Sequence, residues 1–298
     1  MRVLITGGGG FVGRHLAPRL ERDSWEVIAR DQELDVTDAG ALGDALASVR
    51  PDAIVHLAAQ SSVAASLESA TRTFRVNYLG THHLLAAAAR VVPEARFLFV
   101  SSGEVYGAAP PNAGPFDESA PLRPGSPYAR SKASGDRLAA DFAGRGLDVV
   151  RVRPFNHTGP GQTPVFAAPS FARQIAEIAH GKREARLEVG NLDSIRDFLD
   201  VEDVVEAYAR LLQRAVPAGV YNVASGTGRK LGEVLEGLLR HAGVDAAVET
   251  DPARVRPTDH SVGDASRIEA ATGWTPRVPF DTTLARLFDS WLEQVRAA

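Results

Sequence analysis

A chain of 298 residues has room for one large domain, or for a large domain and a smaller one. Its composition, 44% hydrophobic and 23% charged with a formal net charge of −4, gives no reason to expect nucleic acid or an anionic membrane as partner. The absence of cysteine excludes disulfides, thiolate metal sites and cysteine nucleophiles, and no metal is expected.

A first strand is predicted from Arg2 through Val3-Leu4-Ile5, leaving no room for a secretory leader. No apolar run is long enough to span a bilayer, so a cytoplasmic protein is expected. Further strands are predicted at 26–29, 53–57, 97–100 and 148–152, with Ala/Leu-rich helical stretches such as 41–48 and 81–91 between them. Near-continuous apolar strands alternating with helices imply an α/β protein whose parallel sheet is covered on both faces. Beyond residue 152 the pattern is more mixed, with Pro154, Pro160, Pro164 and Pro169 and a late amphipathic helix over 282–295. The expectation is a Rossmann-type doubly wound domain over 1–155, regaining a segment near 197–225. A smaller carboxy-terminal domain would comprise 156–196 and 226–298.

Between the first strand and its helix lies Thr6-Gly7-Gly8-Gly9-Gly10-Phe11-Val12-Gly13. The run satisfies both Gly8-x-Gly10-x-x-Gly13 and Gly7-x-x-Gly10-x-x-Gly13, the turn that brings backbone N–H groups to a pyrophosphate at a helix N-terminus. Gly7, Gly10, Phe11, Val12 and Gly13 are therefore cofactor-binding candidates. Asp31, at the end of the second strand, is placed to bind an adenosine ribose, which favours NAD. Adjacent Arg30 would instead pair with a 2′-phosphate and favour NADP, so both cofactors stay open. Asp35 and Val36 follow as candidates for the adenine edge, while Asp38 suits a helix cap.

In Ser126-Pro127-Tyr128-Ala129-Arg130-Ser131-Lys132, the i and i+4 spacing puts Tyr128 and Lys132 on one helix face. A neighbouring ammonium lowers a phenol's pKa, so the pair is expected to bring Tyr128 towards the working range of an acid–base catalyst.

With turn and pair both present, the whole chain resembles the extended short-chain dehydrogenase/reductase family, which contains nucleotide-sugar epimerases, dehydratases and reductases. His56-Leu57-Ala58-Ala59 looks like that family's fourth-strand motif beside the cofactor, and Asn77 matches its structural asparagine. Ser101-Ser102-Gly103-Glu104-Val105-Tyr106-Gly107 looks like the active-site strand end, with Ser102 as the third member of a Ser–Tyr–Lys triad. The resemblance implies an enzyme in which nicotinamide carries hydride, Tyr128 exchanges a proton with a sugar oxygen, and Lys132 holds the cofactor ribose. A homodimer through helices near 81–91 and 128–144 is likewise implied.

The reaction turns on three segments. Gly103 stands where many dehydratases have an acid, although Glu104 remains as a candidate catalytic or substrate-binding carboxylate. Asn156-His157-Thr158-Gly159-Pro160-Gly161-Gln162 looks most like the reductases of GDP-4-dehydro-6-deoxy-D-mannose, which make GDP-rhamnose. Asn156 is a candidate substrate contact; His157 reads as structural. Arg173, Arg196 and Arg256 are candidate clamps for the nucleotide diphosphate, whose oxygens suit a guanidinium fork. The reading is NAD(P)H-dependent reduction of a 4-keto nucleotide 6-deoxysugar. Its rivals are a 4-epimerase or 4,6-dehydratase with tightly bound NAD and, in another class, a non-catalytic dinucleotide sensor, which the intact Tyr/Lys pair argues against.

Overall fold

Five apolar runs in the first half form adjacent parallel strands: β1 (Arg2–Thr6), β2 (Glu26–Arg30), β3 (Ala53–His56), β4 (Arg96–Val100) and β5 (Val149–Pro154). A sixth strand, β9 (Gly219–Val223), returns from the second half and pairs with β5, giving the order β2-β1-β3-β4-β5-β9 with every pairing parallel. The computed structural model describes residues 1–109, 113–252, 255 and 260–297. The motif at His56 closes the third strand of this chain rather than a fourth, because only α2 (Ala39–Val49) separates β2 from β3.

The period-two alternation of a strand sorts its side chains between two cores. Val3, Ile5, Val55, Leu98, Val150 and Val152 face α1 (Phe11–Arg22), α8 (Val201–Leu211) and α10 (Ser266–Thr272). Leu4, Ile54, Phe97, Phe99 and Val149 face α2, α5 (Gly80–Val91) and α6 (Pro127–Gly144). Both faces are thus covered, the condition for a parallel sheet in water.

The rest of the second half builds a separate core. There α7 (Ala167–Ala179), α9 (Leu231–Ala242) and α11 (Phe280–Ala297) enclose Phe171, Ile175, Val234, Leu238, Leu287 and Trp291. Beside them β8 (Ile195–Asp200) pairs antiparallel with β10 (Gly228–Lys230) and parallel with β12 (His260–Ser261) and β6 (Asn156–Thr158). Because β6 follows β5 after one residue, the second sheet starts at the mouth of the first. No helix among the described residues is long and apolar enough to cross a membrane.

Candidate active site

The glycine run forms a tight turn across the ends of the strands. Gly7 has φ +71°, and a Cβ there would lie 2.7 Å from Ala58 N, so only glycine fits between β1 and the segment after β3. A Cβ at Gly9 would run into Asp31 Oδ2, so the Asp31 carboxylate closes directly over the turn. Gly10 caps α1 without any side-chain hydrogen bond, and the first turn carries no acidic residue. Its orphan N–H groups and positive helix end therefore face the turn, as an anion site requires.

Between this turn and the second sheet runs a cleft of about 1060 Å³. Gly7, Gly10, Phe11, Val12, Gly13, Asp31, Asp35 and Val36 line one end, and Leu57, Ala58, Ala59, Ser102, Glu104, Tyr128, Lys132 and Asn156 continue it. Asp38 caps α2 through Gly40 N at 2.9 Å and Ala41 N at 3.0 Å, as its position suggested.

At the other end α6 delivers Tyr128 and Lys132. Ser126 Oγ accepts from Ala129 N at 3.1 Å and Pro127 opens the first turn, so the helix starts at a fixed point. Tyr128 and Lys132 are 9% and 5% exposed, and Ser102 is 8% exposed. Lys132 Nζ donates to Val100 O at 2.8 Å and lies 5.6 Å from the centre of the Phe99 ring. Burial lowers the Lys132 ammonium to about 8. Burial raises the Tyr128 phenol to about 12, a hydrogen bond with Ser102 opposes that rise, and the Glu104 charge adds to it. The expected depression of Tyr128 by Lys132 is not found: the shift comes from burial, Ser102 and Glu104, and in the chain itself the phenol keeps its proton. Glu104 sits in the short turn Gly103–Tyr106, which Ser102 Oγ caps by accepting from Glu104 N at 3.2 Å.

A buried polar network supports this arrangement. Just before α5, a single π-helical turn (Arg75–Leu79) points Asn77 inward. Its Nδ2 donates to Ser131 Oγ at 3.0 Å, beside Lys132, and to Gln60 O at 2.9 Å, while its Oδ1 accepts from Gln60 N at 2.8 Å. Thr81 Oγ1 donates to Asn77 O and therefore accepts from His56 Nε2–H at 3.0 Å, leaving His56 Nδ1 to accept from Thr6 Oγ1 at 2.8 Å. Burial and the Lys132 charge drive this histidine down to about 3, so it is neutral. One turn beyond Lys132, Asp136 accepts from Arg151 Nη1 at 2.8 Å and Arg153 Nε at 2.9 Å, tying α6 to β5.

Not every candidate reaches the cleft. Arg30 is exposed, with its guanidinium 3.4 Å from Ala29 O, and does not line it. Arg173 stands against Glu177 at 3.5 Å on α7, and Arg196 Nη1 donates to Ile195 O at 3.0 Å; neither is among the residues that line the cleft. Arg256 lies outside the described residues. The cleft instead receives Arg72 and Arg75, which sequence reasoning passed over. Hydrogen bonds from Thr37, helped by the Arg75 charge, hold the Asp35 carboxyl below its usual range. His157 also lines the cleft, with Nδ1 2.9 Å from Phe155 O and its ring stacked 6.1 Å from Phe11.

The family model described as GDP-mannose 4,6 dehydratase matches residues 31–287. The chain belongs to that family of extended short-chain dehydrogenase/reductases. It is 38% identical to the GDP-6-deoxy-D-mannose reductase of Pseudomonas aeruginosa, across 99% of this chain and 98% of that one. A solved structure of RMD from the same organism, complexed with NADPH, superposes with a TM-score of 0.92 at 37% identity, covering 98% of this chain and 99% of the other. The UDP-glucose 4-epimerase of Thermus thermophilus in complex with NAD gives 0.89 at 31% identity, covering 98% of this chain and 99% of the other.

Proposed function

We propose that this member of the family reduces the 4-keto group of GDP-4-dehydro-6-deoxy-D-mannose to give GDP-D-rhamnose, using NADPH or NADH. The observation that carries the reading is the end-to-end similarity to a GDP-6-deoxy-D-mannose reductase, joined to a cleft in which a protonated tyrosine stands between a serine and a lysine. Residues 1–155 with the 197–225 segment would hold the dinucleotide, and 156–196 with 226–298 the nucleotide sugar. The cleft fits a dinucleotide on its own geometry: an uncapped helix end for a pyrophosphate, Asp31 over the turn for a ribose, and Lys132 for the second ribose.

When bound, the nicotinamide supplies the hydride that reduces the keto carbon. The chain does the rest. Ser102 holds and polarises the carbonyl oxygen. Tyr128, whose phenol retains its proton at neutral pH, delivers it to the oxygen as charge develops there, so a carbonyl becomes a secondary alcohol. Lys132, charged below about 8, holds ribose hydroxyls and stabilises the phenolate left on Tyr128 until solvent reprotonates it. Asn156 and Glu104 are assigned to the substrate. A homodimer through α5 and α6 is part of the proposal, supported by exposed Tyr78 and Leu79 in the π-helical turn just before α5; light scattering should then give twice the chain mass of 31.7 kDa.

The test is reduced-nicotinamide absorbance on mixing the protein with GDP-4-dehydro-6-deoxy-D-mannose and NADPH or NADH. Sugar-dependent stoichiometric oxidation that vanishes in Tyr128→Phe supports the reductase. No oxidation, with NAD already bound to the purified protein, would replace it by an epimerase or dehydratase. Relatives of both kinds are 31% identical to this chain over nearly its full length.

A further inference from the structure

The inward face of α8 is built from Val201, Val204, Val205 and Leu211, all of them fully buried and apolar. Tyr208 interrupts that face. It is 0% exposed, yet its hydroxyl has no hydrogen-bond partner among the described residues. Two other buried tyrosines differ: Tyr106 donates to Asn222 Oδ1 at 2.7 Å and Tyr221 to Pro217 O at 2.8 Å. Phenylalanine would fill the same apolar space without stranding a polar group, so packing alone gives no reason for the oxygen.

Its position does give one. Helical side chains lean towards the N-terminus of their helix, which carries the Tyr208 phenol up from the core towards the mouth of α8. There it lines the floor of the cleft. It lies close enough to Tyr128 that a charge on either phenol disfavours a charge on the other. The adenosine end, marked by Asp31 and Asp35, lies just past β2 at the edge of the sheet, whereas α8 packs against β6, whose Asn156 and His157 line the cleft.

We infer that Tyr208 is a hydrogen-bond ligand for the nicotinamide half of the dinucleotide. The inference rests on the proposed use of NADPH or NADH and adds to it a residue that touches the cofactor from below.

The experiment is Tyr208→Phe, read by the fluorescence of NADPH on binding, by competition with ADP-ribose, which lacks nicotinamide, and by the melting temperature without ligand. Loss of one net hydrogen bond predicts about 5- to 10-fold weaker NADPH binding. ADP-ribose should be unchanged within about twofold, and the unliganded melting temperature should be unchanged or raised, since an unsatisfied group has been removed. Unchanged NADPH affinity overturns the inference. So does equal weakening of ADP-ribose, which would move the contact off the nicotinamide half, and so does a lowered unliganded melting temperature, which would mean a partner inside the protein. Binding of neither NADPH nor NADH by the unaltered protein would remove the proposed function and this inference together. Normal binding by the unaltered protein with no effect of Tyr208→Phe removes the inference alone.

Discussion

Replacing Lys132 with methionine should stabilise the unliganded protein while abolishing its reactivity. Burial takes this ammonium from 10.5 down to about 8, so the unfolded chain holds the same proton more tightly than the native one. At about 1.4 kcal/mol for each pH unit, carrying the charge into the fold costs roughly 3 kcal/mol at neutral pH. Methionine keeps the unbranched apolar stem over Phe99 and removes the charge. Loss of the hydrogen bond to Val100 O gives back about 1 kcal/mol, leaving a net gain of about 2 kcal/mol. The sign with pH is fixed by the same argument. Between about 8 and 10.5 the unfolded state binds more protons, so the stability of the unaltered protein rises across that window. Below it the penalty is complete. The advantage of Lys132→Met should therefore be full at pH 7 and reversed near pH 10.5, where the neutral amine costs nothing and still donates to Val100. Urea midpoints of both proteins at pH 7 and pH 10, without dinucleotide, measure this. A variant less stable than its parent at pH 7, or a difference that does not move with pH, would refute the reasoning.

Asp136→Asn should be costly, because Arg153 is 4% exposed and would keep its charge with its counter-ion gone. Breaking such a buried pair costs about 3–5 kcal/mol, or roughly 10 °C in melting temperature. Its carboxyl is held below the usual range, so the difference should be present above that range and close as acid protonates Asp136; a melting temperature within 2 °C of the parent at pH 7 would contradict the account. Gly7→Ala combines a left-handed backbone with a Cβ 2.7 Å from Ala58 N, a loss of roughly 2–4 kcal/mol. Denaturant unfolding would show it, and a loss under 1 kcal/mol would mean that the turn adapts.

Much of this was legible because it is local. The glycine turn, the first five strands and the i, i+4 pair of Tyr128 and Lys132 are short-range patterns that backbone chemistry alone imposes. The arginines were not, since a guanidinium reaches a cleft only if its element faces it. Arg173 and Arg196 do not line the cleft, while Arg72 and Arg75 reach it from helical segments after β3 that no motif marks. The direction of the Tyr128 shift was also beyond the sequence. Spacing tells that a lysine is near, but burial, which depends on distant chain, decides the balance. Tyr208 reads in sequence as one more large residue in a helical stripe, and only the missing partner for its oxygen distinguishes it. Asp136 was partly readable, being eight residues after Tyr128 on the same face, but its arginines come from β5.

The late return of β9 and α8 bears on how the chain is made. Val3, Ile5, Leu16 and Leu20 share their core with residues from 199 to 223, so that face of the nucleotide sheet is covered by α1 alone until that stretch has left the ribosome. A fragment stopped at residue 155 would carry the entire glycine turn and the Tyr/Lys pair and still expose an apolar wall to water. The glycine turn and the Tyr/Lys pair come first in the order of synthesis, and the stretches that close their core come later. Attempts to express the first half alone, or to cut the gene at its apparent boundary, meet that bare wall as aggregation.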